Sequence, residues 1–163
     1  MGTRIPVEYE LSETDKAYLA GIIDGEGSIG IQVSSRRSPT ESPRYFAYLM
    51  VSQSDKEFLE RLQKKWGVGG VYGHQNASPR NSLSRTSYKW GMQSKQAAFV
   101  LEAVLPYLVM KKPQAGGALE PERSQRSVGG TRLSTSDLEY RAWVKQRISD
   151  LNQRRLSWEH ASL

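Results

Sequence analysis

A stripe of small side chains, beginning just before the segment LAGIIDGEGS (residues 19–28), limits most strongly what this chain can fold into. Ala17, Gly21 and Gly25 recur every four residues and therefore share one face of a predicted helix. Such a face lets a second helix backbone approach closely. An ordinary core helix that ends in glycines would show the same stripe, so both interpretations stay open. In either case, we expect the bulky residues to face the chain's own core: Tyr18, Leu19, Ile22 and Ile23.

Two carboxylates lie at the predicted C-terminal end of this helix. The helix dipole is already negative there, so it disfavours Asp24 and Glu26 by roughly 0.3–1 kcal/mol each. A bound cation would relieve this repulsion. Because the chain has no cysteine and only two histidines, such a cation would be hard and bound by oxygen. The pattern favours Mg²⁺, with Mn²⁺ or Ca²⁺ able to occupy the same sites.

Length and composition favour one soluble domain over residues 1–163. The net charge of +6 indicates a polyanionic partner without distinguishing DNA from RNA. No apolar run approaches the length of about 18 residues that a membrane span needs, so no membrane partner is expected. The polar N-terminal region resembles neither a secretory signal nor a transit peptide. We therefore expect an intracellular protein, in the cytoplasm of a prokaryote or an organelle of a eukaryote.

Apolar periodicity and turn residues predict an alternation of helices and strands. The predicted core, residues 12–115, has a helix at 12–24, strands at 28–36 and 44–53, a helix at 55–66, strands at 71–74 and 83–93, and a helix at 94–105. Residues 116–163 form a predicted C-terminal extension. A predicted loop over 113–132 joins the core to this extension and leads to a helix at 136–156. Strand pairs joined by polar turns indicate an α+β fold with an antiparallel sheet and helices on one face.

Residues 19–27, LAGIIDGEG, resemble the signature that names the LAGLIDADG homing endonucleases. The predicted element order is similar to the αββαββα core of that family, and so are the segments WGVG (66–69) and LPYL…K (105–111). The resemblance covers about residues 17–115 and implies a saddle-shaped sheet. Only one motif is present, so it also implies a homodimer about a two-fold axis. The expected dimer interface contains Ala17, Ala20, Gly21, Asp24 and Gly25.

The resemblance also implies roles for residues near the motif. Glu26 would be the acidic metal ligand, assisted by the Gly25 carbonyl, and Asp24 is a further candidate ligand. Gln53 matches a residue that orders water in the active site, and Lys111 matches a basic residue near the scissile phosphate.

Some basic positions leave alternatives open. Lys112 is a substitute for Lys111. In the family, a second basic residue comes just after the glutamine that matches Gln53, and in this sequence its spacing is shifted by two residues. We assign this role to Lys56, with Arg61 as the alternative.

Relatives of this type lay the solvated face of the sheet in the major groove of DNA. Strand alternation then nominates the following DNA-binding residues: Gln32, Ser34, Arg36, Arg37, Arg44, Phe46, Tyr48, Met50, Tyr72, His74, Arg85, Ser87 and Lys89. Basic residues of the C-terminal third either contact phosphates or keep a helix soluble: Arg123, Arg126, Arg132, Arg141, Lys145 and Arg147.

Three functions are compatible with these features. The first is a metal-dependent homing endonuclease that cuts double-stranded DNA at a long pseudo-palindromic site, leaves 3′ overhangs and so supports intron homing. The second is an RNA maturase for intron splicing, and the third is a DNA-binding regulator without catalysis. The presence of Glu26, Gln53 and Lys111 together argues against the third. The sequence offers little against the second.

Overall fold

A computed structural model of the protein describes residues 11–34, 42–74, 87–127 and 133–153. The elements are α1 (Glu13–Glu26), β1 (Gly27–Ser34), β2 (Arg44–Gln53), α2 (Lys56–Trp66), β3 (Gly70–His74), β4 (Ser87–Gln93), α3 (Ser94–Val104), a 3-10 turn (Leu105–Tyr107), α4 (Lys112–Ser127) and α5 (Thr135–Asn152). The predicted αββαββα order and the α+β class are confirmed. None of the described helices combines the length and apolar character needed to cross a bilayer.

The four strands form one sheet in the order β1-β2-β4-β3, and every neighbouring pair is antiparallel. Strand β2 alternates between buried and partly exposed residues, as the sequence predicted. On the buried face, Leu49 and Val51 lie beside Trp90 of β4, and all three are almost completely inaccessible to solvent. Helices α1, α3 and α4 contribute further buried apolar residues to the same core. The opposite face of the sheet remains partly exposed.

Helix α1 begins at a capping box and ends further along the chain than predicted. Ser12 accepts a hydrogen bond from the Asp15 N–H, and the Asp15 carboxylate accepts one from the Ser12 N–H. The helix continues through Glu26 and passes directly into β1 at Gly27, which has an extended backbone. Gly27 is required for space, because a Cβ there would lie 2.6 Å from the Ile23 carbonyl oxygen. The helix was predicted to end at residue 24, and it ends two residues later, at Glu26.

The turn after α2 depends on two glycines with left-handed backbone. Gly67 and Gly69 have φ angles of 66° and 77°. The indole Nε1 of Trp90 donates to the Val68 carbonyl at 2.9 Å, and a Cβ at Gly69 would lie 2.6 Å from that nitrogen. The sequence WGVG thus fastens the end of α2 to the central strand β4.

Residues 113–132 were predicted to be a loop, and this was wrong over 113–127, because α4 spans Lys112–Ser127. The prediction relied on two Gly-Gly pairs and several arginines, and the first of these pairs lies inside the helix. Ala115, Ala118 and Leu119 are completely buried, and packing of this face outweighs the low helix propensity of the local sequence. The expected boundary between core and extension at residue 115 therefore falls inside a helix.

The C-terminal helices are bonded to the sheet and to each other. The buried Glu122 carboxylate accepts a hydrogen bond from the Ala47 N–H, and the Asn152 side-chain amide donates to the Ile29 carbonyl. Arg141 is only 4% exposed and donates from Nη2 to the Ser124 hydroxyl at 2.7 Å. The sequence suggested that Arg141 either contacts phosphate or keeps a helix soluble. Because its side chain is buried, it does neither.

Candidate active site and recognition face

The Asp24 side chain is bonded to the backbone that leads into α4. Its Oδ2 accepts the Val109 N–H at 2.8 Å, and its Oδ1 accepts the N–H groups of Met110 at 3.1 Å and Lys111 at 2.8 Å. Three consecutive amides of this turn therefore converge on one carboxylate at the C-terminal end of α1.

The Lys111 side chain returns to the same helix end. Its Nζ donates to the carbonyl oxygens of Ile23 at 2.9 Å and Asp24 at 2.7 Å, in the last turn of α1. The Ile23 carbonyl also accepts the Gly27 N–H. Partial burial lowers the pKa of Lys111, while the negative charges of Asp24 and Glu26 act in the opposite direction. Lys111 thus places a cation at the negative end of the α1 dipole.

Glu26 is the last residue of α1, and its side chain is exposed. Within the described part of the chain, its carboxylate makes no hydrogen bond or ion pair. Gly27 pairs with Val51, so α1 ends beside the last residues of β2, where Gln53 is half-buried. The Gln53 Oε1 accepts the N–H of Ser54 at 3.2 Å. The structure thus gathers Glu26, Gln53 and Lys111 near the end of α1.

Lys56 forms an ion pair within its own helix. It is the first residue of α2, and its Nζ is 2.9 Å from the Glu60 carboxylate on the next turn. A hydrogen bond to Glu60 raises the pKa of Lys56, and the Glu60 charge acts in the same direction. Arg61 and Lys112 are exposed on α2 and α4. Their predicted roles remain predictions.

The ligands available for a divalent cation are hard oxygens, as the sequence suggested. The free Glu26 carboxylate and the Gly25 carbonyl are suitable donors for Mg²⁺, whereas the Asp24 carboxylate already accepts three hydrogen bonds. Among the described residues, no three acidic or histidine side chains form a group able to hold a metal ion. The residues of one chain thus fit part of a magnesium coordination shell.

The small-residue stripe is exposed on α1. Ala17, Gly21 and Gly25 face solvent, and a Cβ added at either glycine would meet nothing within 4 Å. Two expectations were wrong. Ala20, placed in the predicted dimer interface, is completely buried in the chain's own core, and Tyr18, placed in the core, is 59% exposed. The side of α1 that meets the sheet is centred on Leu19, Ala20 and Ile23, which rotates Tyr18 outward.

Strand register assembles the predicted DNA-binding residues on the solvated face. Gln32 pairs with Phe46, Ser34 with Arg44, and Tyr72 with Lys89, so each pair projects to the same side. The predicted residues on this recognition face are Gln32, Ser34, Arg44, Phe46, Tyr48, Met50, Tyr72, Ser87 and Lys89. His74 pairs with Ser87 in the same register. Arg36, Arg37 and Arg85 lie outside the described residues.

Sequence reasoning missed Gln93 on this face. Gln93 pairs with Tyr48, and its Nε2 donates to the Oε1 of Gln32 at 2.9 Å. The alternation that nominated Ser87 and Lys89 would have reached Gln93 if it had been extended to the end of β4. The Tyr48 ring also lies close over the sheet, because a Cβ at Gly30 would be 2.5 Å from it.

The exposed sheet face thus lies beside a helix end that carries the Glu26 carboxylate and the Lys111 ammonium. The sequence profile of the LAGLIDADG endonuclease family matches residues 19–107, which is more than half of the chain. The chain therefore belongs to the LAGLIDADG endonuclease family. A comparison with curated protein sequences found no match.

Solved structures with the same fold include several homing endonucleases. The homing endonuclease I-CvuI, in complex with the I-CreI target and Mg, superposes with a TM-score of 0.65 at 24% identity, over 85% of this chain and 82% of that one. The archaeal intron-encoded I-Vdi141I in complex with DNA gives 0.66 at 17% identity, over 85% and 84%. I-SmaMI bound to cleaved DNA gives 0.64 at 16% identity, over 96% of this chain and 50% of that one.

Proposed function

We propose that this chain is a homing endonuclease that cuts both strands of a long pseudo-palindromic DNA site as a homodimer, by metal-dependent hydrolysis that leaves 3′ overhangs. The observation that supports this most is the arrangement at the end of α1. The Glu26 carboxylate has no partner among the described residues, and the Lys111 ammonium donates to carbonyls of the same helix end. Gln53 ends the strand β2, which pairs with β1 directly after α1.

The proposed chemistry divides among these three groups. Glu26, with the Gly25 carbonyl, would hold a divalent cation, which supplies charge neutralisation and activation of water when it is bound. The Gln53 amide orients the attacking water through its hydrogen bonds. The Lys111 ammonium stabilises the negative charge that develops on the phosphate. Burial around Lys111 strengthens this last interaction, because fewer water molecules screen its charge.

Three observations support a homodimer. The stripe of Ala17, Gly21 and Gly25 is exposed and accepts a close backbone approach. The described residues of one chain supply only part of a metal coordination shell, and a second copy across a two-fold axis would bring another Glu26. This chain also matches only half the length of the I-SmaMI chain, which fits a working unit of two such halves.

The recognition face is suited to double-stranded DNA. Two chains of charge +6 would present +12 to the phosphates and give salt-dependent affinity. The polar side chains Gln32, Ser34 and Lys89 can select bases through hydrogen bonds, whereas Phe46 and Met50 suit thymine methyl groups. The DNA complexes of I-CvuI and I-Vdi141I support this choice of partner.

The test is cleavage of a plasmid that contains the uninterrupted junction of the sequences flanking this open reading frame. We expect linear product with Mg²⁺ and none with EDTA. Glu26→Gln should lower the rate by about 10³-fold or more, because it removes the charged ligand. Glu139→Gln, an exposed acid on α5, is the matched control and should cut like wild type.

The outcomes separate the alternatives. Equal cleavage by wild type and Glu26→Gln would contradict the proposed active site. Specific binding of the junction without cleavage by wild type would indicate a regulator. Preferential binding of the intron transcript would indicate a maturase.

A further inference from the structure

We propose that Asp24 is a positioning residue that holds Lys111 in place for the reaction, and that it is not a metal ligand. This inference rests on the proposed function, because Lys111 is assigned to the phosphate there. The evidence is the set of hydrogen bonds between Asp24 and the turn that precedes α4. These bonds connect the end of α1 to a segment 85 to 87 positions further along the chain.

The Asp24 carboxylate is already occupied with hydrogen bonds within the chain. Both of its oxygens accept backbone N–H groups, at distances of 2.8, 3.1 and 2.8 Å. Three amide dipoles offset the repulsion that a carboxylate meets at a helix C-terminus. No cation is therefore needed to explain an aspartate at this position. Glu26, two residues on, makes no such bonds among the described residues and keeps its carboxylate free for a metal.

Apart from the bonds of the Lys111 side chain to α1, little else holds the turn at residues 109–111. The side chains of Val109 and Met110 are 72% and 55% exposed and so contribute little burial. Leu108, which precedes the turn, is buried in the core. At the other end of the turn, the Lys111 carbonyl accepts the first hydrogen bond of α4 from the Ala115 N–H. Asp24 supplies the bonds between these two anchors. Without it, we expect the turn to sample several conformations.

Asp24 and Lys111 are joined twice. The Asp24 carboxylate accepts the Lys111 backbone N–H, and the Lys111 Nζ donates to the Asp24 backbone carbonyl at 2.7 Å. Both ends of a long side chain are thereby held against one helix terminus. A lysine that is free in solution has many rotamers, so holding its backbone and its ammonium together preorganises it.

Amide hydrogen exchange tests the contact without metal or DNA. In the full chain, the N–H groups of Val109, Met110 and Lys111 should be protected. Asp24→Ala should increase their exchange by about tenfold or more while α3 and α5 keep their protection. Asp24→Asn should have a smaller effect, because its remaining oxygen can still accept the Met110 and Lys111 amides. The control Asp137→Asn should increase exchange only at the start of α5, because the Asp137 carboxylate accepts the Ser134 N–H there.

Single-turnover cleavage then tests whether Asp24 acts through Lys111. Asp24→Ala should lower the cleavage rate by about 10²-fold, as expected when a reacting group is misplaced. The Mg²⁺ concentration that gives half of the maximal rate (the Mg²⁺ midpoint) should stay the same. In a Lys111→Met background, the same change should cost almost nothing more. Equal losses in both backgrounds, or a shifted Mg²⁺ midpoint, would overturn the proposal. So would unchanged exchange in Asp24→Ala, whereas a wild type that cuts no DNA would instead refute the proposed function.

Discussion

The side-chain amide of Gln93 on β4 donates to the Oε1 of Gln32 on β1 at 2.9 Å, spanning the strand β2 that lies between them. Both residues lie on the recognition face. The bond fixes Gln32 and leaves its Nε2 donors and the Gln93 Oε1 acceptor available. Such a donor and acceptor match the N7 and N6 groups of adenine in the major groove.

We therefore predict that Gln93→Ala relaxes base selection by Gln32. Selectivity at one base pair in each half-site should fall by about 1–3 kcal/mol, with smaller changes elsewhere. The measurement is competition binding with duplexes substituted at single positions, at one fixed salt concentration. Gln146→Ala, on the exposed side of α5, is the control. Unchanged selectivity in Gln93→Ala would contradict a role for this pair in recognition.

Gly21→Ala should separate folding from dimerisation. A Cβ at Gly21 meets nothing within 4 Å in the chain, so the free energy of unfolding of the monomer should rise by about 0.5–1 kcal/mol. The same methyl group would enter a close helix contact twice in a two-fold dimer, so the dimer Kd should rise by about tenfold or more. Sedimentation equilibrium gives the Kd.

Gly116→Ala on α4 is the matched control, because its Cβ also has free space. It should stabilise the monomer and leave the Kd unchanged. If Gly21→Ala dimerised as tightly as wild type, the stripe would not be the dimer interface.

The ion pair between Asp15 on α1 and Lys65 on α2 should make the stability of the fold depend on pH in the acidic range. The hydrogen bond from Lys65, then that from Ser12, holds the pKa of Asp15 below its usual value. Folding therefore favours the ionised carboxylate. Its contribution is present above about pH 4 and is lost as pH falls through the lowered folded value.

As the pH is lowered from 5 to about 2, the free energy of unfolding should therefore fall less in Asp15→Asn than in wild type. Urea midpoints at several pH values give this difference. Lys65→Met should reproduce part of it, because the Ser12 hydrogen bond remains. Wild type and Asp15→Asn curves that fall in parallel would show that this contact does not stabilise the fold.

Sequence periodicity correctly predicted which face of a strand or helix is exposed in β2 and in part of α1. The alternation in β2 identified both faces of the strand, because only one side of this sheet is covered by helices. The stripe of α1 correctly located an exposed face at Gly21 and Gly25. Ala20 was assigned to the wrong side because small residues also suit a helix packed on a sheet, and only tertiary contact separates the two uses.

Long-range contacts could not be predicted in this way. Helix α4 was missed because Gly-Gly pairs and arginines suggested a loop, whereas the helix is stabilised by burial of residues such as Leu119 in the core. Asp24 appeared to be an equal partner of Glu26 in the motif. Its three amide partners lie more than 80 residues away, and no spacing in the motif indicates them.

Trp90→Phe should destabilise the fold more than any exposed aromatic replacement. Trp90 is completely buried, and its Nε1 donates to the Val68 carbonyl at 2.9 Å. Phenylalanine would leave that carbonyl unpaired and open a cavity beside Gly69, so the free energy of unfolding should fall by about 2–4 kcal/mol. Trp143→Phe on α5, where the indole is 51% exposed, should change it by less than about 0.5 kcal/mol. Urea unfolding of both variants measures the difference. Equal stabilities would mean that the Trp90 bond is not what fastens the WGVG turn to β4.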